Sequence, residues 1–336
     1  MDTGLLAAIA LAVLFAVTNG LHDASNAIAA LVATRAATPF QAIVLASVGN
    51  VLGPFVLGAA VADTIGGIVT VSPDEAVEVI GAGLAAAVGW NLATWRLGLP
   101  SSSGHALLGG LVGAALLAGG LDAVQWGGLD GLRPFGVLGT LAALAVSPVV
   151  GALAALVAIR ALRRLARRAT RRWHAPVLRG EWAMSAALAF SHGANDAQKS
   201  IGVVAALLLA SGRTETLASP DWAVLLCATA LTLGTALGGW RIIRTVGRGI
   251  YPIRPAEGLA SQASSAVVIF GCSLAGAPAS TTQVVASSIV GVGGGRRKWH
   301  HVHWEVVRAM GIAWLFTMPA AAALAAFALG LWRLIA

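Results

Sequence analysis

Two short polar motifs, one in each half of the chain, carry the residues best suited to chemistry. The first motif, Thr18–Asn26, contains Asp23, and the second, Ser191–Lys199, contains Asp196. Both aspartates lie inside otherwise apolar segments, where a carboxylate costs about 3 kcal/mol or more unless it has a partner or faces a water-filled cavity. Matched polar interruptions in two hydrophobic halves indicate a binding site between internal repeats.

Two further motifs combine a proline with a run of hydroxyl side chains. They are Pro100-Ser-Ser-Ser-Gly-His105 and Pro278-Ala-Ser-Thr-Thr-Gln283, and each precedes a short apolar segment. Proline and Ser or Thr caps are typical of a helix start, and a helix N-terminus with free N–H groups attracts anions. Ordinary capping is the alternative for either motif alone. For the pair, we predict a tetrahedral oxyanion bound by Ser101, Ser102, Ser103, Gly104, Ser280, Thr281 and Thr282.

The aspartates have the wrong sign for anion ligands, so we expect them to hold cations beside the anion. At ~4 Å and an effective dielectric of ~20, one carboxylate–cation contact is worth about 4 kcal/mol. Asn26 and Asn195 add carbonyl oxygens of the type that hard cations prefer, which predicts Na⁺ at Asp23, Asn26 and Asp196. Structural carboxylates bonded to nearby backbone are the alternative. Lys199, one of two lysines in the chain, can take the place of one coupling cation or form an ion pair with Asp196 or Asp23, and the two interpretations overlap.

Three histidines, His22, His105 and His192, flank the same motifs. Histidine titrates near neutral pH, so these side chains are candidates for a proton relay, and hydrogen-bonded packing residues are the alternative. The pattern as a whole predicts symport of an anion with a cation, Na⁺ or H⁺, and no other cofactor.

Composition places the chain in the membrane. Of 336 residues, 57% are hydrophobic and 11% charged, with a mean hydropathy of +0.81. Soluble domains carry about 25% charged residues. The net charge is +8, and eight of the 22 basic residues lie between Arg160 and Arg179. A cytoplasmic loop explains this cluster by the positive-inside rule, so we expect no nucleic-acid partner, and we expect a multi-pass protein of the cell inner (plasma) membrane.

The apolar segments form two sets of five, and the motifs recur at nearly constant offsets. The aspartates are 173 residues apart and the motif prolines 178. We therefore predict an all-α polytopic membrane protein with about 10–12 membrane segments: an inverted-topology repeat of residues 1–159 and 181–336, joined by a basic linker, 160–180. The segments lie near 4–35, 40–61, 78–96, 104–118, 137–158, 182–211, 222–243, 257–275, 283–295 and 305–333.

Two local features complete the predicted architecture. We expect the first helix of each half to be broken, at Gly20–Asp23 and at Gly193–Asp196. The segments 104–118 and 283–295 are short for a span, which needs about 20 residues, so we expect two helical hairpins, one entering from each face.

Loop charges give the orientation. The loop around 62–78 is acidic, with Asp63 and Asp74, whereas its counterpart around 241–257 is basic, with Arg241 and Arg244. This reversal is expected if the second half is inserted upside down, with the linker in the cytoplasm and both termini extracytoplasmic.

The four motifs resemble those of the inorganic phosphate transporter (PiT) family of phosphate permeases. The family motif G-A-N-D-x-A-N-A is similar to Gly20–Ala27 and Gly193–Ser200, and P-V-S-T-T-H is similar to the two proline motifs. The resemblance covers essentially the whole chain. It implies a non-enzymatic, secondary active transporter that imports inorganic phosphate, alone or as a metal–phosphate complex, with Na⁺ or H⁺ by alternating access. Lys199 stands where many sodium-coupled members have asparagine, and similar lysines occur in proton-coupled bacterial members, so the resemblance favours H⁺ coupling or coupling to fewer Na⁺ ions. A homo-oligomer is left open.

Other functions remain as alternatives. A permease for sulfate or another oxyanion would use the same fold, and a passive anion channel would use the same site. An intramembrane hydrolase acting through Ser102 or Ser103 leaves the mirrored second motif unexplained. The phosphate loop G-x-x-x-x-G-K-[ST] does not occur in the sequence, which disfavours an ATP-driven pump.

Overall fold

A computed structural model of the chain describes residues 3–168, 173–238, 242–243 and 245–335. Of the predictions above, the charges at Arg241 and Arg244 and the part of the basic linker at 169–172 lie outside the described residues.

Long helices dominate the described chain, and each of the ten predicted apolar segments overlaps one of them. A short π-helical turn, Thr245–Gly249, lies between the eighth and ninth helices. The helices are α1 (Thr3–Ala33), α2 (Pro39–Val56), α3 (Ala60–Gly66), α4 (Pro73–Leu97), α5 (Ser103–Gly119), α6 (Gly136–Leu165), α7 (His174–Ala210), α8 (Asp221–Leu237), α9 (Pro255–Leu274), α10 (Thr281–Gly295) and α11 (Trp304–Ile335).

Local sequence sets several helix starts. The helices α2, α4 and α9 all begin at a proline, whose fixed φ suits the first helical turn. At α2, Thr38 and Gln41 form a capping box in which each side chain bonds to the other residue's backbone N–H.

The predicted breaks at Gly20–Asp23 and Gly193–Asp196 are wrong, because α1 and α7 run unbroken through both motifs. An intact helix hydrogen-bonds its own backbone N–H and C=O groups, which have no water to bind inside a membrane. The glycines instead permit close helix packing. A Cβ added to Gly20 would lie 1.9 Å from the carbonyl oxygen of Leu231, and one added to Gly193 would lie 2.4 Å from the Cα of Asn50.

Two loops between the predicted segments, around 62–78 and 119–134, contain structure that the sequence did not predict. The loop around 62–78 begins inside α3, whose Val61 N–H donates to Gln198 Oε1 on α7 at 2.9 Å. The loop around 119–134 contains an antiparallel hairpin of β1 (Gly128–Asp130) and β2 (Arg133–Phe135). Its two-residue turn holds Gly131 at φ 59°, a left-handed conformation that glycine adopts without strain.

Six of the described helical segments are long and apolar enough to cross a membrane, in agreement with a membrane protein. The prediction that 104–118 is too short needs correction. A 3₁₀ turn, Gly120–Ala123, extends α5 to a segment of 21 residues. Its counterpart α10 has 15 residues and is short for a span.

Helix packing brings together the tips of two helical hairpins. The first tip is the proline motif Pro100–His105, and the second tip is the proline motif Pro278–Gln283. Within each half, α4 packs on α5 and α9 packs on α10, so both form helical hairpins. Between the halves, α1 packs on α8 and α2 on α7. The helix that follows each tip packs on the last helix of the other half: α5 packs on α11, and α10 packs on α6. Each tip is therefore held by both halves of the chain.

Candidate functional site

The two hydroxyl-bearing tips meet at the centre of the molecule. Ser102 is the N-cap of α5 and accepts a hydrogen bond from the His105 backbone N–H at 3.3 Å, so the ordinary capping named above as the alternative is observed at this tip. Ser280, at the corresponding position before α10, makes no side-chain cap. Its hydroxyl donates instead to Ser102 Oγ at 2.9 Å. Two residues 178 positions apart thus join the tips directly.

Asp23 contacts both tips and is almost completely buried. Its carboxylate accepts hydrogen bonds from Thr282 Oγ1 at 2.5 Å and from Ser103 Oγ at 2.7 Å, one from each tip. Asn26, one turn along α1, donates to it at 3.0 Å. Asp23 therefore interacts with hydroxyl donors from both hairpins.

Asp196 occupies the matching position on α7 and is fully buried. Lys199 forms an ion pair with one of its carboxylate oxygens. The other oxygen accepts from Thr281 Oγ1 at 2.9 Å and lies 2.8 Å from His192 Nε2. The consecutive residues Thr281 and Thr282 thus connect the tip of α10 to both aspartates.

The ammonium group of Lys199 lies between the two tips. Nζ donates to the carbonyl oxygen of Ala279, in the second tip, at 2.8 Å. A Cβ added to Gly104, in the first tip, would lie only 3.4 Å from the same Nζ. A buried positive charge at this position attracts an anion that approaches either tip. Of the two interpretations given above, the contact with Asp196 is observed.

Asn195 supports the second tip. Its Oδ1 accepts from the Ala279 backbone N–H at 3.0 Å, and its Nδ2 donates to the carbonyl oxygen of Ala277 at 3.2 Å. The same Nδ2 is 3.0 Å from Ser273 Oγ on α9. This side chain therefore fixes the extended backbone that leads to Ser280.

All three candidate histidines belong to the cluster. His22 Nε2 lies 3.2 Å from Thr94 Oγ1 and 3.4 Å from Ser101 Oγ. The Nδ1 atom of His105 is 2.7 Å from Ser102 Oγ. His192 Nδ1 is 2.9 Å from Asn50 Oδ1, while its Nε2 faces Asp196. Each ring thus has a polar partner in or next to the predicted site.

Sequence reasoning missed polar residues that support the site. Asn19 Oδ1 lies 2.6 Å from Ser103 Oγ and offers that hydroxyl a second acceptor beside Asp23. Asn19 lies one helical turn before Asp23, a spacing that could have identified it. Asn50, which holds His192, donates in turn to Thr235 on α8 at 2.9 Å. For Thr235 the only signal is a polar residue within an apolar helix.

The arrangement is suited to a cation next to an anion. Asp23, His192 and Asp196 each offer a ligand atom, and these atoms lie within 4.8 Å of one another. Because Lys199 already pairs with Asp196, Asp23 is the carboxylate better placed to hold a mobile cation. The hydroxyls of both tips and the Lys199 ammonium are the available donors for an oxyanion.

Comparison with known proteins identifies the family. The sequence model of the phosphate transporter family matches residues 19–181 and 177–325, which together span most of the chain. The chain belongs to the phosphate transporter family. The expectation of a transporter and not an enzyme is therefore confirmed, as is the resemblance noted above.

Several relatives are similar over most of their length. A probable low-affinity inorganic phosphate transporter of Mycobacterium tuberculosis is 41% identical over 98% of this chain and 78% of its own. Proteins of the same description are 38% identical in Rhizobium meliloti, over 96% of this chain and 94% of their own, and 36% identical in Bacillus subtilis, over 94% and 93%. A solved structure described as the sodium-dependent phosphate transporter superposes with a TM-score of 0.86 at 26% identity, over 99% of this chain and 100% of that chain.

Proposed function

We propose that this member of the family is a secondary active transporter that imports inorganic phosphate together with a cation, by alternating access. The observation that carries the proposal is the junction of the two tips. Ser102 and Ser280 touch across the two halves, directly above two buried carboxylates. A site built from both halves changes shape when one half moves against the other, as alternating access requires.

Phosphate binds between the tips in this proposal. Ser101, Ser102, Ser103, Gly104, Ser280, Thr281 and Thr282 supply hydroxyl and backbone donors, and the helix N-termini of α5 and α10 add their positive dipole ends. Three of these hydroxyls donate to the aspartates in the described conformation. On binding, they turn toward the phosphate oxygens, and a cation takes over the aspartate.

Charge balance explains why a cation must accompany phosphate. Asp23, Asp196 and Lys199 together carry one net negative charge. A cation at Asp23 cancels that charge, and the Lys199 ammonium then faces the anion without opposition. Na⁺ suits the oxygen ligands offered by Asp23 and Asn26. The similarity to a structure described as a sodium-dependent phosphate transporter supports Na⁺, and H⁺ is the alternative.

The predicted inverted topology belongs to the same proposal. Residues 1–159 and 181–336 form the two repeats, the segment 160–180 is cytoplasmic, and both termini face the other side of the plasma membrane. The reciprocal packing of α5 on α11 and of α10 on α6 supports this symmetry. Cysteines introduced at the exposed Asp74 and Arg167 should react with an impermeant maleimide from opposite sides. Reaction of both from one side contradicts the topology.

Phosphate uptake by the reconstituted protein tests the proposed transport activity. Proteoliposomes should accumulate labelled phosphate against its gradient when a sodium gradient is imposed at constant pH. Accumulation that needs only a proton gradient assigns the coupling to H⁺. Equilibration without accumulation under both gradients contradicts symport and indicates a channel. Excess sulfate should compete weakly, because sulfate is not protonated near neutral pH and cannot donate a hydrogen bond to Asp23.

A further inference from the structure

A line of buried polar side chains, here called the polar stripe, extends from the central cluster around Asp23 and Asp196 toward the part of α7 next to the linker. On α7 it contains Ser185, and on α9 it contains Gln262 and Ser265. Their exposed fractions are 1%, 2% and 0%. Ser185 Oγ, Ser265 Oγ and both amide atoms of Gln262 have no hydrogen-bond partner in the described part of the chain. Buried polar groups are normally hydrogen-bonded, so this concentration of unpartnered atoms needs an explanation.

Two contacts show how α7 and α9 lie side by side. Near one end, a Cβ added to Gly258 would lie 2.2 Å from Glu181 Oε1. Near the other, Asn195 Nδ2 donates to Ser273 Oγ at 3.0 Å. Both contacts join residues 77 or 78 positions apart, so the two helices run in the same direction with one constant register.

This register places the unpartnered side chains together. Ser185 lies level with Gln262, and Ser265 follows one turn closer to the central cluster. On α7, the positions of Glu181, Ser185 and His192 fall on one helical face. The polar positions of α7 therefore follow one line from Glu181, at the outer end, to His192 and Asp196 at the centre. The buried Leu188 interrupts this line, and the register places Ser265 of α9 level with it.

The first half of the chain offers an internal comparison. The motif offsets of 173 and 178 residues give each stripe residue an equivalent on α1 or α4. All three equivalents are completely buried in the largest hydrophobic core cluster. The same helix pair thus packs well with apolar side chains, and packing alone does not require polar residues in the stripe. The equivalents of Ser185, Gln262 and Ser265 are Ala12, Leu84 and Ala87.

We propose that Ser185, Gln262 and Ser265 line the route by which hydrated phosphate and its coupling cation pass between the central cluster and the linker side of the molecule. This inference rests on the transport function proposed above. In the described conformation the route is closed. Thr34 bonds to Glu181 at 2.8 Å, and Glu257 pairs with Arg296, at its outer end. When α7 and α9 separate, water and the passing ions satisfy the unpartnered polar atoms.

An apolar copy of the stripe tests the proposal. The triple variant Ser185→Ala, Gln262→Leu and Ser265→Ala carries the residues that the first half uses, so it should fold and insert. Its maximal uptake rate should fall at least about tenfold, because the passing ions lose their polar contacts, while the phosphate half-saturation concentration changes less than about twofold. A structural role alone would leave the rate unchanged.

Thiol labelling supplies a second readout. In a background with Cys227 and Cys272 replaced by alanine, Ser265→Cys should react with a water-soluble methanethiosulfonate reagent during turnover. Ala266→Cys is the matched control, because Ala266 lies at the same depth within a hydrophobic core cluster. Equal reactivity of the two cysteines, or a wild-type rate in the triple variant, overturns the proposal. Uptake by the unmodified protein reports separately on the transport function, so the two failures are distinguishable.

Discussion

Replacing Lys199 with asparagine should change the number of cations that phosphate uptake requires. Lys199 is the buried ammonium that pairs with Asp196 and contacts the second tip through Ala279. Its removal leaves two carboxylates and two net negative charges in the cluster. Asp196 then becomes a second site for a mobile cation.

The size of the effect follows from the geometry. A charge pair at ~4 Å with an effective dielectric of ~20 is worth about 4 kcal/mol, and screening lowers this figure. A loss of about 1–4 kcal/mol raises the phosphate half-saturation concentration by a factor of about five to a thousand when the cation is scarce. A high cation concentration should restore most of the affinity, because the cation then replaces the ammonium.

Uptake by proteoliposomes, measured over a series of cation concentrations, is the assay. The Hill coefficient for the coupling cation should rise by about one in Lys199→Asn, following linkage between the two ligands. Lys298→Asn is the control, because Lys298 is the other lysine of the chain and lies in the loop after α10. An unchanged Hill coefficient together with an unchanged phosphate affinity refutes the assigned role of Lys199.

Stability must be separated from function in this variant. An unpaired buried charge costs about 3–5 kcal/mol, so Lys199→Asn should lower the melting temperature. The double variant Asp196→Asn with Lys199→Asn removes both charges and should recover much of that loss. A melting temperature in the single variant equal to that of the unmodified protein would show that Asp196 is not left charged.

Three further predictions concern the site and its packing. Asp23→Asn should abolish coupled uptake while the protein still inserts, and wild-type uptake would remove this carboxylate from the mechanism. Ser102→Ala combined with Thr281→Ala should raise the phosphate half-saturation concentration at least about tenfold, since each lost bond to a charged group is worth about 1.5–3 kcal/mol; an unchanged value places the anion elsewhere. Gly193→Ala should destabilise the protein by about 1–3 kcal/mol, because its Cβ would meet the backbone of Asn50; thermal unfolding in detergent checks this, and an unchanged transition contradicts the close approach.

Where the motifs are duplicated, the structure brings the predicted site residues together. Asp23 and Asp196 mark matched positions, and the proline motifs mark the starts of α5 and α10. The sequence could not predict which side chains pair with one another. Whether Lys199 paired with Asp196 or Asp23 depends on helix rotation, and the Ser102–Ser280 contact depends on how the hairpins cross over.

The wrong predictions have a shared physical cause. Glycine, asparagine and aspartate are typical of helix interruptions, so the sequence favoured breaks at Asp23 and Asp196. In α1 and α7 the polar side chains find partners on neighbouring helices, and the glycines bring those helices close. These tertiary contacts therefore stabilise an unbroken helix at both motifs. The hairpin Gly128–Phe135 was missed because strands of three residues carry no detectable periodicity.

The position of bound phosphate is the most direct test of the central claim. An experimental structure determined with phosphate and the coupling cation should show the anion between the two tips, within hydrogen-bonding distance of Ser102 and Ser280 and facing Lys199. It should also show the aspartate hydroxyl contacts of Thr281 and Thr282 rearranged toward the anion. Phosphate bound away from both tips, with these contacts unchanged, would contradict the account.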